Sequence, residues 1–404
     1  MTALPSLETT TQRSHAGDPP PAFDEPRRAA ALRAHGASSI AIDELLAYGA
    51  SAFNEETLLD PPPIPVADEP FAQAWDEYQR DARVDGVFES LRRRLVQLNF
   101  PVELGMSGRA EYQAATRRGL VERAHGDGLR LNQPDGLELS LHQTAAGRIP
   151  VIVVANRVDF VSLIQALTRR NEPEPIPDSM GACIVGGYNN WDRVRRLRAD
   201  WEASSPDDPS DAEWNLVFRS ITATHRELYQ DRFIVLSSGP YSATPANVVG
   251  VVGEVHWRRL SGTIRLEHEC THYFTRRIFG SMRNTILDEL CADYAGIVAA
   301  CGHFRPDWFL RFVGLEDADT YRAGGRLENY RGTPALSNEA FEVLQRVVRV
   351  ATAQLAHFDA TRRRAGPLPV ANVVIALARV GLEPLATERG SSLLDAELRQ
   401  LDAR

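Results

Sequence analysis

Apolar residues alternate with a period of two in only part of this chain, between about residues 129 and 260. The segments 137–143 and 149–156, separated by a short Ala-Gly turn, are typical of a β-hairpin. The runs 233–238 (FIVLSS) and 247–255 (NVVGVVGEV) are rich in β-branched residues and predict two further strands. From Ser261 onward the spacing is almost entirely helical. A mixed sheet followed by a mostly helical C-terminal half predicts an α+β fold.

Shifts in composition and periodicity divide the chain into five predicted segments. Pro, Ala, Thr and Arg dominate the first segment, which shows no apolar periodicity and is expected to be a disordered arm. The predicted segments are the arm (1–37), an N-terminal helical region (38–128), a sheet-containing subdomain (129–260), a helical zinc-binding subdomain (261–384) and a C-terminal tail (385–404).

The basic residues exclude several kinds of catalysis, because the 45 Lys and Arg residues of the 404-residue chain are all arginine. A chain without lysine has no amine for a Schiff base, and it cannot provide the phosphate-binding lysine of P-loop proteins or of protein kinases. The net charge of −9 and the scattered arginines argue against nucleic acid as a partner.

The chain also lacks the sequence features of secreted and membrane proteins. No basic and apolar leader pattern opens it, and no run approaches the roughly 18 apolar residues of a membrane span. Four cysteines without a CxxC pair indicate reduced thiols, and Cys270 and Cys291 are expected to pack in the core. We therefore expect a cytoplasmic protein with no membrane partner; its oligomeric state stays open.

The segment 261–280 contains an HExxH motif, His268-Glu269-Cys270-Thr271-His272. Ser261 is a plausible N-cap and Gly280 a plausible C-terminal stop, so the motif is expected to lie inside one helix. At that spacing the two imidazoles are about 40° apart on one face and can bind one ion. Glu269 then lies at the edge of the same face, where it can accept a proton from a metal-activated water.

A second predicted helix, 284–300, supplies the carboxylates that such a site requires, with Asn284 or Thr285 as its cap. Glu289 can complete a set of three zinc ligands, and Asp293, one turn further on, can accept the free ring N–H of a histidine ligand. Asp288 could compete with Glu289 as the third ligand. The flanking side chains are apolar, which favours a buried face over a solvated one.

These two motifs resemble those of the gluzincin-type zinc metallopeptidases, in which a Glu on a downstream helix follows HExxH. The stretch Glu289-Leu290-Cys291-Ala292-Asp293 matches the ELxAD form found in several of those families. The resemblance covers about 40 residues, 260–300. It implies a zincin-like fold with the HExxH helix packed on the Glu-bearing helix, Zn²⁺ on His268, His272 and Glu289, Glu269 as general base, and Asp293 as partner of a histidine ligand.

The resemblance also implies a peptide or small peptide-like substrate that pairs with the strand before the motif helix, for which 247–255 is suitably placed. Such enzymes stabilise the oxyanion with a Tyr, His or Arg, and no motif chooses among the four candidates: Tyr294, His303, Tyr321 and Tyr330. Residues 180–194 predict a turn and a helix cap, with a cleft-lining loop as the alternative.

Two other functions are compatible with parts of the pattern. Glu269 to His272 could be the ExxH of a carboxylate-bridged di-iron bundle, whose second copy would have to be Glu122 to His125. A zincin-like protein with structural zinc could instead bind a partner without catalysis. The complete set of ligands together with the base favours a hydrolase, because a structural site has no need of Glu269.

Overall fold

The computed structural model describes residues 21–50, 53–120, 128–205, 210–280, 285–366 and 368–403. Within them the chain has an α+β fold that is mostly helical and contains one small mixed sheet. The fold class predicted from the sequence is confirmed at this level.

Four strands form the sheet in the order β1-β2-β4-β3. They are β1 (Glu138–Thr144), β2 (Gly147–Val154), β3 (Ala182–Asn189) and β4 (Gln230–Ser237). The predicted hairpin is confirmed as the antiparallel pair β1 and β2, and the predicted strand at 233–238 as β4. β4 runs parallel to β2 and antiparallel to β3, which makes the sheet mixed.

The strand predicted at 247–255 is wrong, because this segment forms turns and then enters a helix at Glu254. Gly250 and Gly253 adopt φ values of 70° and 90°, which are incompatible with extended pairing. Val249 is buried in the core, but Val252 and Val255 are 92% and 85% exposed, so the β-branched run does not present a continuous strand face to the core. The strand that the sequence did not predict is β3.

β3 lies in the segment 180–194, which was expected to be a turn or loop. Gly187, at φ 70°, accompanies a shift in the pairing of β3 with β4, so the glycines form a strand irregularity. The predicted cap is confirmed at Asn190, whose side chain accepts the N–H groups of Asp192 and Arg193.

Helices precede the first strand, connect β2 to β3 and β3 to β4, and follow the last strand in the sequence. They are α1 (Glu25–Ala34), α2 (Ser39–Gly49), α3 (Glu55–Leu59), α4 (Phe71–Asp85), α5 (Val87–Arg92), α6 (Ala110–Arg118), α7 (Arg157–Thr168), α8 (Trp191–Ser204), α9 (Asp211–Thr224), α10 (Glu254–Phe279), α11 (Ile286–Cys301), α12 (Pro306–Val313), α13 (Asn338–Ala365), α14 (Val370–Val380), α15 (Leu382–Leu385) and α16 (Gly390–Asp402).

The hydrophobic core centres on α10 and α11. α10 contacts β3 and β4 and packs along α11, while α11 also contacts α12 and α14. Every residue of α11 from Ile286 to Val298 is buried. A helix covered on all sides is apolar nearly all round, so the polar residues that it does carry require partners inside the protein.

The prediction of a disordered arm is wrong for the last part of the arm, because Glu25–Ala34 forms α1. The Asp24 side chain caps this helix by accepting the Arg27 N–H at 3.0 Å. Arg28 is buried and pairs with Glu383 of α15 at 2.9 Å, so α1 belongs to the core. Residues 1–20 of the predicted arm lie outside the described residues.

The prediction of a C-terminal tail is also wrong over most of the tail's length. It forms α16, whose Leu394 and Leu398 are fully buried against α13 and α14. One core cluster runs from Ala29 to Leu398 and therefore crosses all of the predicted segment boundaries. Within the described ranges, no helix is both long and apolar enough to cross a bilayer.

Candidate metal centre

The HExxH motif lies in the second half of α10, which is 26 residues long. Gly280 ends the helix at φ 65°, as predicted. Ser261 is not the N-cap, because the helix begins seven residues earlier, after Gly253. The Ser261 side chain is fully buried instead, and its hydroxyl accepts the backbone N–H of Tyr241 at 2.9 Å. This bond fixes the segment around Tyr241 beside the motif.

α11 approaches α10 closely because of a glycine. A Cβ at Gly296 would lie 2.5 Å from the backbone oxygen of Ile264, so no larger residue fits at this crossing. Thr285 is the N-cap of α11 but makes no capping hydrogen bond through its side chain; Asn284, the alternative cap, lies outside the described residues. The close crossing brings the acidic face of α11 against the motif histidines.

Three ligand atoms from His268, His272 and Glu289 converge between the two helices. The Nε2 atoms of the histidines are 3.0 Å apart, and each lies 3.4 or 3.6 Å from a carboxylate oxygen of Glu289. Ligand atoms on a tetrahedral zinc at about 2.05 Å are about 3.3 Å from one another. The three predicted ligands are therefore placed at the spacing that zinc requires, and all three residues are buried.

Each histidine has an aspartate on its other nitrogen. Asp293 Oδ1 lies 2.8 Å from His268 Nδ1, the relationship predicted from the sequence. Asp288 Oδ2 lies 2.9 Å from His272 Nδ1, and its other oxygen accepts the Thr275 hydroxyl at 3.1 Å. Asp288, considered as a competing ligand, thus faces the nitrogen that points away from Glu289. Aspartates that accept the Nδ1–H groups leave both Nε2 lone pairs available for a metal.

The electrostatics of this centre favour a cation. Two nitrogen lone pairs and a carboxylate that face one another repel unless a positive charge lies between them. Glu289 Oε2 is buried and, among the described residues, has no hydrogen-bond partner. Burial opposes ionisation of Glu289, but His272, His268 and Arg326 outweigh it and hold its pKa well below the usual range. The donor set and the orphaned oxygen both fit Zn²⁺.

Arg326 and Tyr241 close one side of the centre. The Arg326 guanidinium pairs with Asp293 Oδ2 and donates to the Tyr241 hydroxyl at 3.1 Å. That hydroxyl in turn donates to Asp293 Oδ1 and lies 2.9 Å from His268 Nδ1. Burial raises the pKa of Asp293, yet the charge of Arg326 and the bond to His268 lower it overall. The carboxylate therefore stays ionised and holds the His268 ring in place.

A cavity of about 320 Å³ opens beside two of the three predicted ligands, His268 and Glu289. Glu269 lines it too, so the predicted base faces the same space as these two ligands. Arg265, Arg326 and Tyr330 also line it, as do residues 179–182 at the start of β3. A larger cavity of about 660 Å³ lies among α1, α2 and α14, and none of the three ligands lines it. The smaller cavity is the one that can hold a reacting group near the ligands.

Of the four candidates for the oxyanion, Tyr330 is the one that lines this cavity. Burial and the charge of Glu289 raise the pKa of Tyr330, which keeps its phenol protonated and able to donate a hydrogen bond. Tyr294 donates instead to Asp359 at 2.8 Å, and Tyr321 donates to the Gly325 carbonyl at 2.6 Å. His303 is exposed.

Several side chains of the centre were missed by the sequence reasoning. Tyr241 and Arg326 come from segments without a motif, 27 and 58 residues from His268, so no spacing rule could have found them. The sequence could have identified Arg265, because this residue precedes His268 by three positions and so lies on the same helical face. Cys270 and Cys291 are confirmed as core residues, with 3% and 0% exposure.

The second copy of the ExxH pattern, Glu122 to His125, lies outside the described residues. Comparisons with curated proteins and with solved structures found no match to the chain. A comparison with protein families matched residues 30–389, which include the second half of α1, all of α2 to α15 and every residue of the candidate metal centre, to one family. The chain belongs to that family, which is described as "Family of unknown function (DUF7005)".

Proposed function

We propose that this protein is a zinc-dependent hydrolase that cleaves a peptide or peptide-like amide bond. The observation that carries the proposal is the convergence of His268 Nε2, His272 Nε2 and the Glu289 carboxylate at separations of 3.0, 3.4 and 3.6 Å. Structural zinc sites are closed by four protein ligands, whereas catalytic sites have three and one open position. Three ligands beside a cavity support the catalytic kind.

A zinc ion bound there supplies a water of lowered pKa and an electrophile that polarises the amide carbonyl. Glu269 lies next to His268 in sequence and lines the same cavity, so it can take the proton of the attacking water and pass it to the leaving nitrogen. Tyr330 can donate its phenolic hydrogen to the carbonyl oxygen as negative charge develops. Asp288, Asp293 and Arg326 hold the histidines and take no part in proton transfer.

We further propose that an extended substrate pairs with β3. β3 is the last strand in the sheet order, and among the described residues no strand pairs with its outer edge. Residues 179–182, where β3 begins, line the cavity. An unpaired edge offers backbone donors and acceptors to a peptide. This strand replaces the segment 247–255, which forms no strand.

The test is the substitution Glu269→Gln, with Glu267→Gln as the matched control. Glu267 lies on the same helix, but its carboxylate bonds His142 at 2.9 Å and does not line the cavity. A synthetic peptide library, analysed by mass spectrometry, reports cleavage by the zinc-loaded proteins. We expect Glu269→Gln to retain zinc and lose at least about 100-fold of the activity, the usual effect of removing a general base.

Full activity in Glu269→Gln contradicts this mechanism. A protein that binds one zinc but cleaves no peptide or amide substrate in either form supports the non-catalytic alternative. About two iron ions per chain support the di-iron alternative.

A further inference from the structure

We propose that Arg265 binds a carboxylate of the substrate, so that the cavity selects amides that carry a carboxylate beside the scissile bond. This inference rests on the proposed function and names its substrate class. Arg265 lies on α10 one helical turn before Glu269, and both side chains line the cavity. A carboxylate on Arg265 would therefore lie within about one turn, roughly 6 Å along the helix axis, of the proposed base.

Arg265 is a buried charge without a salt-bridge partner among the described residues. It is 3% exposed, and no carboxylate of the described residues lies within 4.0 Å of its guanidinium. Arg326, the other arginine of the cavity, is paired with Asp293 and so is already neutralised. A charge in such a position is costly, since burial lowers the pKa of Arg265 by more than Tyr241 and the charge of Glu269 raise it. A bound anion would remove that cost.

The hydrogen bonds of Arg265 leave part of the guanidinium free. One bond runs from Nη1 to the Ser237 carbonyl at 2.8 Å, and two run from Nη2 to the carbonyls of Gly239 and Pro240 at 3.0 and 3.1 Å. A guanidinium has five N–H donors, so two remain without a bond to the described residues. The carbonyls fix the position of the group without neutralising its charge, which suits a preformed anion site.

A glycine makes room for this arrangement. An ideal Cβ at Gly181 would lie 2.6 Å from Arg265 Nε and 2.8 Å from Nη2. Any side chain there would displace the guanidinium from its place at the cavity wall. Gly181 directly precedes β3, the strand proposed to bind an extended substrate, so the carboxylate and the substrate backbone would meet at this point.

A guanidinium that still has a free N–H prefers a carboxylate, to which it can donate a charge-assisted hydrogen bond. In a peptide-like substrate this group has two sources, the terminal carboxylate of the residue next to the scissile bond and an acidic side chain. Both present the same chemistry to Arg265.

The experiment compares two zinc-binding probes of equal size, succinic monohydroxamic acid and its terminal carboxamide, by calorimetric titration of the zinc-loaded full chain. We expect the carboxylate probe to bind the wild type about tenfold or more tightly than the carboxamide, as a charge-assisted bond would provide. The ratio of the two affinities, carboxylate probe over carboxamide probe, should fall to about one in Arg265→Gln. In Arg265→Lys, which retains the charge, this ratio should stay above one.

The matched control is Arg157→Gln. Arg157 also holds backbone carbonyls of a loop at the cavity, those of Ile176, Pro177 and Met180, but does not itself line the cavity. Its removal should leave the ratio unchanged. If Arg265→Gln fails to fold, Gly181→Ala provides the second variant, and we expect it to lower the ratio while acetohydroxamic acid binds as before.

Equal binding of the two probes to the wild type, or an unchanged ratio in Arg265→Gln, overturns the inference and leaves the proposed function standing. No binding of either probe to zinc-loaded protein overturns both. Two peptide pairs, tested for competition with the carboxylate probe in the Glu269→Gln protein, distinguish the sources. One pair differs only in a terminal carboxylate or amide, and the other only in an Asp or Asn side chain next to the scissile bond.

Discussion

Asp288 and Glu289 are neighbours in the sequence but face opposite nitrogens of one imidazole. Asp288 Oδ2 lies 2.9 Å from His272 Nδ1, and Glu289 Oε1 lies 3.4 Å from His272 Nε2. The His272 ring is therefore held between two adjacent carboxylates of α11. Burial lowers the pKa of His272, but these carboxylates outweigh it and raise the pKa well above its usual value, so the metal-free centre favours a positive charge.

This division of roles predicts different effects of two neighbouring substitutions. Asp288→Ala should weaken zinc affinity by about 10–100-fold, the usual effect of losing a partner of a histidine ligand, and should still give one zinc per chain at saturation. Glu289→Ala removes a ligand atom and should weaken binding much further. Competition with a fluorescent chelator measures both affinities. The reverse order would show that Asp288 is the third ligand.

Metal content tests the centre as a whole. We expect about one zinc per chain in protein purified without an affinity metal, and none in a His268→Ala, Glu289→Ala double variant. The matched control is His256→Ala with Glu267→Ala, which changes the same residue types on α10 outside the converging set of ligands. Elemental analysis by mass spectrometry provides the count. Zinc that persists in the first variant would mean that it binds elsewhere.

The close crossing of α10 and α11 predicts opposite effects of two Gly→Ala changes. At Gly296 a Cβ would lie 2.5 Å from a backbone oxygen of α10, so Gly296→Ala should cost about 1–3 kcal/mol of unfolding free energy. It should also weaken zinc binding, because it pushes Glu289 away from the histidines. Gly262→Ala, on α10, meets nothing within 4 Å and should stabilise by about 0.5–1 kcal/mol. Denaturant unfolding measures both values, and equal effects would contradict the crossing.

The position of α1 in the core predicts the cost of breaking its buried ion pair. Arg28→Ala leaves Glu383 buried without a partner, and we expect a loss of about 3–5 kcal/mol. Arg27 pairs with Asp24 at the surface, where the two side chains are 46% and 30% exposed, so Arg27→Ala should cost less than about 1 kcal/mol. Chemical unfolding of both variants tests whether α1 belongs to the fold, and a neutral Arg28→Ala would exclude it.

The sequence was most informative where local patterns and burial agreed. The spacing of His268 and His272 and the apolar surroundings of Glu289 predicted both helices and the face that each turns to the other, and the structure brings these residues together. Asp293 could be placed for the same reason, since it lies one helical turn after Glu289. In each case the helical period of 3.6 residues was enough to show which side chains lie on the same face of the helix.

Predictions failed where a distant partner decides the local structure. The segment 247–255 has the composition of a strand, but no strand in the described part of the chain pairs with it, and Gly250 and Gly253 turn the chain. The arm-like composition before residue 37 hid α1, whose Arg28 is neutralised by Glu383, 355 residues away. Arg326, which the sequence did not suggest, comes to the cavity from a short 3₁₀ helix that carries no motif. Contacts of this kind depend on tertiary packing, which a single sequence pattern does not encode.

The bond between Arg326 and Tyr241 joins residues 85 positions apart, and Arg326 reaches Asp293 from 33 positions away. The two motif helices alone therefore contain every ligand atom but not the groups that close around them. If the proposed zinc binds there, a folding chain could take it up as soon as α10 and α11 meet, and would orient His268 fully only after residue 326 had docked. Under the proposed function, zinc uptake and the final orientation of His268 are thus separate events, and the second requires that the segment around residue 326 has already packed against α11.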